Sequence, residues 1–71
     1  MGVTEDVAAR IRNARLRRGL SQASVAKLAG LSRTHYGQLE RGQSSPTVVT
    51  LEAVANALGE SLPELLGERA S

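Results

Sequence analysis

The chain has 71 residues and no cysteine, so we expect one domain with a small core, without disulfide bonds or a cysteine-ligated zinc site. No apolar run near its start is long enough for a signal peptide or a membrane span, which predicts a cytoplasmic protein. The net charge is +2, but residues 1–45 carry +5 and residues 46–71 carry −3; the basic part suits a polyanion, with a solvated charged surface as the alternative.

The apolar residues recur at helical spacing, and alternating patterns are missing, so five short helices and no strand are predicted. The first helix is expected over residues 5–18, with Thr4 as its N-cap. Its apolar face consists of Val7, Ile11 and Ala14. Four of its arginines are most simply a solvated face: Arg10, Arg12, Arg17 and Arg18. An amphipathic membrane helix is the alternative, but Arg15 interrupts the apolar face.

A break in the helical pattern separates the second and third helices. Ser21 is predicted to cap a helix over residues 22–29, and Ser32 a helix over residues 33–41. Gly30 between them suits the left-handed conformation at a helix end. Two short helices joined by a short turn containing glycine form the layout of a helix-turn-helix, here over residues 21–42, although an ordinary helical hairpin would share this pattern.

The remaining two helices follow a loop. Thr47 is predicted to cap the fourth helix, which ends at Gly59 and points Val48, Leu51, Ala55 and Leu58 inward. Ser61 and Glu64 have the spacing of a capping box, with Pro63 in the first turn of a short fifth helix.

The third helix has an outer face without acidic residues. Five residues share this face on a helical wheel: Arg33, Thr34, Gly37, Gln38 and Arg41. Tyr36 and Leu39 point the other way, toward the core. Arginine, threonine and glutamine side chains read base edges or bind phosphates, so the face suits DNA. A glycine there either allows close approach of the backbone to DNA or is merely tolerated.

These motifs together resemble the lambda-repressor-like, Cro/repressor (XRE-type) family of DNA-binding domains. The resemblance covers about residues 7–66 and rests on RIRNARLRRGLSQASVAKLAGLS, LERG and SPTVVTLEAVANALGESLPELL. It implies an all-α fold, a compact five-helix bundle that contains a helix-turn-helix, with residues 1–71 forming one domain. It also implies a sequence-specific transcriptional regulator that places the third helix in the major groove of double-stranded DNA.

The resemblance assigns roles to individual positions. Base reading is implied for Arg33, Thr34 and Gln38, and Gly37 lies on the same face. Phosphate contacts are implied for Gln22, Ser32, Arg41, Gln43 and Ser44, and, by likeness to the controller proteins of restriction–modification systems, for His35. An ion pair across the core is implied for Arg15 and Glu40. Tyr36 departs from the family pattern, in which an aliphatic residue is common, and its hydroxyl requires a polar partner.

Other functions receive little support. His35 is the only histidine, and no nucleophile or metal-ligand spacing accompanies it, so we expect no enzyme activity, metal, cofactor or small-molecule ligand. A homodimer on a palindromic operator is expected, and its contact must come from the small fold itself. The candidates are Leu62, Leu65 and Leu66, some of which must serve the core. The alternatives are an antitoxin-like protein-interaction module and a DNA-binding fragment of a larger regulator.

Overall fold

Helices account for most of the chain in the computed structural model, which describes residues 3–67. The helices are α1 (Val3–Arg17), α2 (Gln22–Ala29), α3 (Arg33–Glu40), α4 (Val48–Ala57) and α5 (Leu62–Leu65). The described residues contain no strand. The prediction of an all-α fold with five helices is therefore confirmed.

Small differences separate the predicted and observed helix ends. Helix α1 already begins at Val3, so Thr4 lies within the helix and its predicted role as the N-cap is wrong. Helix α3 ends one residue earlier than expected, at Glu40, and α4 ends at Ala57, two residues before the expected end at Gly59. The next residue in each case, Arg41 or Leu58, has ψ near 0° and acts as the C-cap.

The predicted N-caps of the other four helices are present. The side-chain oxygens of Ser21, Ser32 and Thr47 each accept a hydrogen bond from the backbone N–H three residues later, at 3.0–3.1 Å. Ser61 and Glu64 form the predicted capping box, with Ser61 N donating to Glu64 Oε1 at 2.9 Å. Each cap satisfies an N–H group that the helix leaves free, and its loss typically costs about 1 kcal/mol.

The turn between α2 and α3 explains the break in the helical pattern. Gly30 has φ +74°, a left-handed conformation that glycine adopts without steric cost. The backbone N–H of Leu31 then donates to Ala26 O at 2.8 Å and closes the end of α2. Ser32 caps α3 at once, so the chain changes direction within three residues and presents α3 beside α2.

One apolar core joins all five helices. Its fully buried members include Ile11, Ala14, Val25, Tyr36, Val54, Leu58 and Leu65. The predicted inward faces of α1 and α3 are confirmed, and that of α4 differs in part. Val48 is 63% exposed instead of inward, and Val54 is fully buried. Because the neighbouring Val49 is also exposed, the first turn of α4 extends beyond the core.

Two arginines at the end of α1 contact the end of α4 and the residues after it. Arg17 Nη2 lies 3.0 Å from Glu60 Oε2, and Arg18 Nη2 donates to Gly59 O at 3.4 Å. Both arginines are exposed, as expected for a solvated face, but they also bridge two elements. The Arg17 side chain is 65% exposed, so this ion pair contributes little to stability. Within residues 3–67, no helix is long and apolar enough to cross a membrane.

Candidate nucleic-acid interface

The outer surface of α3 carries three exposed polar side chains: Arg33, Thr34 and Gln38. They lie opposite Tyr36 and Leu39, which are buried in the core. No acidic residue interrupts this part of the helix, because the only carboxylate of α3, Glu40, is 2% exposed. The face can therefore approach a polyanion and offer hydrogen-bond donors and acceptors to base edges.

The first turn of α3 is held by its cap. Ser32 Oγ accepts from His35 N at 3.0 Å. This contact uses a lone pair of the hydroxyl and leaves its O–H group available as a donor to a phosphate oxygen. The His35 side chain is half-buried at the edge of the exposed face.

Gly37 is not exposed on this face, so its backbone is not directly available for close approach to DNA. The Arg41 guanidinium lies over it, so that a Cβ atom added to Gly37 would lie 3.2 Å from Arg41 Nη1. The same guanidinium donates from Nε to Gln43 Oε1 at 3.0 Å. Arg41 and Gln43 are thus brought together, and Gly37 is buried beneath one of them.

The loop between α3 and α4 contains an unsatisfied group. Ser44 Oγ is buried and has no hydrogen-bond partner within the described residues. In this conformation the hydroxyl cannot reach a phosphate outside the loop. The predicted contact at Ser44 therefore requires either its backbone N–H or a rearrangement of the loop.

Glu40 is the centre of a buried hydrogen-bond network. The ion pair implied by the family resemblance has Arg15 Nε 2.6 Å from Glu40 Oε2 and Arg15 Nη2 3.1 Å from Oε1. Tyr36 Oη donates to Oε2 at 2.5 Å, and Gln22 Nε2 donates to Oε1 at 3.0 Å. One carboxylate thereby joins α1, α2 and α3. Glu40 is thus the polar partner that the Tyr36 hydroxyl requires.

The network changes the ionisation of its members. Burial of Glu40 opposes its charged form, but the hydrogen bonds from Arg15, Tyr36 and Gln22 outweigh burial and lower the pKa of the carboxyl. Burial and the hydrogen bond to Glu40 raise the pKa of the Tyr36 hydroxyl well above its ordinary value. The carboxylate is therefore ionised and the phenol neutral at physiological pH.

Sequence reasoning missed three contacts of Glu40. The Tyr36–Glu40 hydrogen bond joins residues four apart on one helix, a spacing that brings side chains together and could have indicated it. The contact of Gln22 with Glu40 joins two helices and had no signal in the local pattern. The third contact runs from Arg12 Nη1 to Glu40 O at 3.4 Å. It was not expected, because Arg12 was assigned to a solvent-exposed face of α1.

The three leucines predicted for a dimer interface have different environments. Leu65 is fully buried in the core, so its assignment to the interface is wrong. Leu66 is 36% exposed, and Leu62 is half-buried. Leu62 also lines a groove of about 260 Å³ together with Glu52, Ala55 and Asn56. Helix α5 has only four residues, and Leu65 is the one that it buries in the core.

The described residues contain no group of three histidine, aspartate, glutamate or cysteine side chains that could hold a metal ion.

Comparison with known proteins places this geometry among helix-turn-helix proteins. The sequence profile of the helix-turn-helix family matches residues 11–65. The control protein C.SmaI of Serratia marcescens is 39% identical over 66 residues, which cover 93% of this chain and 79% of C.SmaI. The immunity repressor of Bacillus phage phi105 is 42% identical over 62 residues; the match covers 87% of this chain but only 43% of the repressor.

Solved structures agree with the sequence comparison. The restriction–modification controller protein C.AhdI from Aeromonas hydrophila superposes with a TM-score of 0.85 at 37% identity. The match covers 87% of this chain and 94% of C.AhdI. The predicted resemblance to repressors and controller proteins is confirmed.

Proposed function

The chain belongs to the helix-turn-helix family, and on that premise we propose that it regulates transcription by binding operator DNA with α3 in the major groove. The observation that carries the proposal is the outer face of α3. This face is exposed and free of acids, and the turn at Gly30 sets it beside α2. An α-helix fits the major groove of B-form DNA, where each base pair presents a distinct pattern of donors and acceptors.

We assign base reading to the exposed residues Arg33, Thr34 and Gln38. Arginine can donate two hydrogen bonds to the O6 and N7 atoms of guanine, and glutamine can pair with adenine in the same manner. Gly37 would approach the DNA once the Arg41 guanidinium moves from its surface.

We assign contacts with the DNA backbone to the residues around this face: Gln22, Ser32, His35, Arg41, Gln43 and Ser44. Phosphate contacts fix the position of a protein on the duplex without reading sequence. The contact between Arg41 and Gln43 supports this assignment, because it holds the guanidinium at the C-terminal end of α3. Gln22 keeps one amide hydrogen free after its bond to Glu40 and can offer it to a phosphate.

We further propose that the functional unit is a homodimer on a palindromic site. One recognition helix reads only a few base pairs, and two-fold related half-sites about 34 Å apart multiply the specificity. Leu62 and Leu66 remain the candidate interface residues, because both retain exposed surface, and Leu62 also lines the groove along α4. We also propose that the protein works in the cytoplasm, in keeping with its similarity to bacterial and phage regulators.

The test is selection of bound duplexes from a random DNA library, followed by sedimentation of the protein with the selected duplex. We expect a palindromic consensus and two protein chains on each full site. A single chain per full site contradicts the dimer but leaves DNA binding intact. If no sequence is enriched and binding does not weaken with salt, the chain is instead an interaction module, and pull-down of neighbouring gene products becomes the informative experiment.

A further inference from the structure

Arg12 of α1 lies beside the C-terminal end of α3, outside the helix-turn-helix. Its Nη1 donates to the backbone oxygen of Glu40, the last residue of α3, at 3.4 Å. The residues that follow in the chain, Arg41 and Gln43, are proposed to contact the DNA backbone. We propose that Arg12 binds a phosphate of the same DNA and extends the backbone contacts onto α1, an inference that rests on the proposed function.

The charge of Arg12 is available for such a contact. The ion pairs among the described residues are Arg15–Glu40 and Arg17–Glu60, and no described carboxylate lies within 4 Å of the Arg12 guanidinium. The carboxylate of Glu40, whose backbone oxygen Arg12 contacts, is buried and already paired with Arg15. Arg12 is exposed, and its bond to the carbonyl uses only one of its five N–H donors.

The position on α1 explains why Arg12 differs from other arginines of the helix. Arg12 and Arg15 are three residues apart, so they share the side of α1 that faces α3, and both donate to Glu40. Arg17 and Arg18 are turned toward Glu60 and Gly59 at the end of α4. Arg10 lies against Gly67, after α5. Of these arginines, only Arg12 and Arg15 therefore lie beside the reading helix.

A purely structural role for Arg12 is the competing explanation. A cation at the C-terminal end of a helix interacts favourably with the helix dipole and with the free carbonyl groups. Such a cap could support α3 and affect DNA affinity indirectly. It would not release counterions from DNA, and therefore it would not change the salt dependence of binding.

The experiment measures the binding constant of the intact chain for the selected duplex over a range of salt concentrations. The variants are Arg12→Gln and Arg17→Gln, which remove the same charge from the same helix at different places. Each neutralised phosphate contributes about −0.9 to the slope of log K against log salt concentration. We expect Arg12→Gln to reduce the magnitude of the slope by about 0.9 per subunit, and Arg17→Gln to keep the wild-type slope.

Arg12→Lys serves as a third variant, because it keeps the charge and should keep most of the slope. A wild-type slope in Arg12→Gln overturns the proposal, even if affinity falls, since that result identifies a structural cap. An equal loss of slope in Arg17→Gln also overturns it, since the effect would then follow net charge alone. A slope near zero in the wild-type protein would instead overturn the proposed DNA-binding function.

Discussion

Gln22 Nε2 donates a hydrogen bond to Glu40 Oε1 at 3.0 Å and thereby links the first residue of α2 to the last residue of α3. The proposed phosphate contact of Gln22 and the placement of the reading helix are consequently joined through one buried carboxylate. Mutation of Gln22 should therefore affect the phosphate contact and the placement of α3 together, whereas mutation of a base-reading residue should affect only base preference.

Arg33→Ala and Gln22→Ala should weaken DNA binding in distinguishable ways. Loss of a bidentate contact from Arg33 to guanine should cost about 1–3 kcal/mol on the selected duplex and much less on random DNA. One position per half-site should then lose its base preference. Gln22→Ala should weaken binding to both duplexes, because a phosphate contact carries no sequence information.

Selection from a random library with each variant, together with binding to both duplexes, checks this prediction. If Arg33→Ala selects the same bases as the wild-type protein, Arg33 contacts only phosphate. Because Gln22 also holds Glu40, its variant should show a smaller loss of discrimination that is spread over several positions.

Removing one member of the buried ion pair should destabilise the protein strongly. Glu40 is 2% exposed and Arg15 13% exposed, so Arg15→Leu leaves a buried carboxylate without its cation. Breaking such a pair typically costs about 3–5 kcal/mol, whereas replacing both partners by apolar residues is often close to neutral. Urea unfolding should show that Arg15→Leu combined with Glu40→Leu loses less stability than the sum of the single changes. An additive result would mean that the pair is not coupled.

The lowered pKa of Glu40 predicts acid sensitivity. Since the folded state holds this pKa below the ordinary value of 4.5, the carboxylate contributes stability above that pH and loses the contribution as pH falls through the folded pKa. The free energy of unfolding should therefore fall below about pH 4.5. Glu40→Gln should be less stable at pH 7 and show a flatter dependence in the acid range. Glu52→Gln, which removes an exposed carboxylate of α4, is the control for the loss of one negative charge.

Much of the fold was predictable because local rules determine it. Ser21, Gly30 and Ser32 fix the turn by capping and by a left-handed glycine, and these signals depend on neighbours in sequence. Val48 was misplaced because helical periodicity places a residue on a face without showing where the neighbouring helices end. The prediction was wrong about where the contact of α4 with the core begins, but it was right that these residues form a helix.

The site was predicted less completely because its contacts are tertiary. The exposed face of α3 follows from a helical wheel, and the structure has Arg33, Thr34 and Gln38 on it. The position of Arg41 over Gly37 depends on a side-chain rotamer at the end of the helix, which no local pattern specifies. The contact of Arg12 with Glu40 requires the packing of α1 on α3, which only the folded chain provides.

Gly37→Ala should raise stability and lower DNA affinity. Gly37 lies inside α3, where alanine is favoured over glycine by about 1 kcal/mol, and the added Cβ meets only the flexible end of Arg41, at 3.2 Å from Nη1. The guanidinium can yield by a few tenths of an ångström, so the midpoint of urea unfolding should increase. The added methyl group should nevertheless obstruct close approach of the α3 backbone to DNA and weaken binding to the selected duplex.

The effect of Gly37→Ala on binding should not depend on Arg41. Arg41→Ala removes the side chain that covers Gly37. In this background, direct obstruction of DNA by the methyl group can be distinguished from displacement of the Arg41 guanidinium. If the methyl group obstructs DNA, Gly37→Ala weakens binding by the same factor with and without Arg41. If it acts by displacing the guanidinium, its effect disappears in Arg41→Ala, and Gly37 is then a residue that positions Arg41. Unchanged affinity in both backgrounds would show that glycine at this position is merely tolerated.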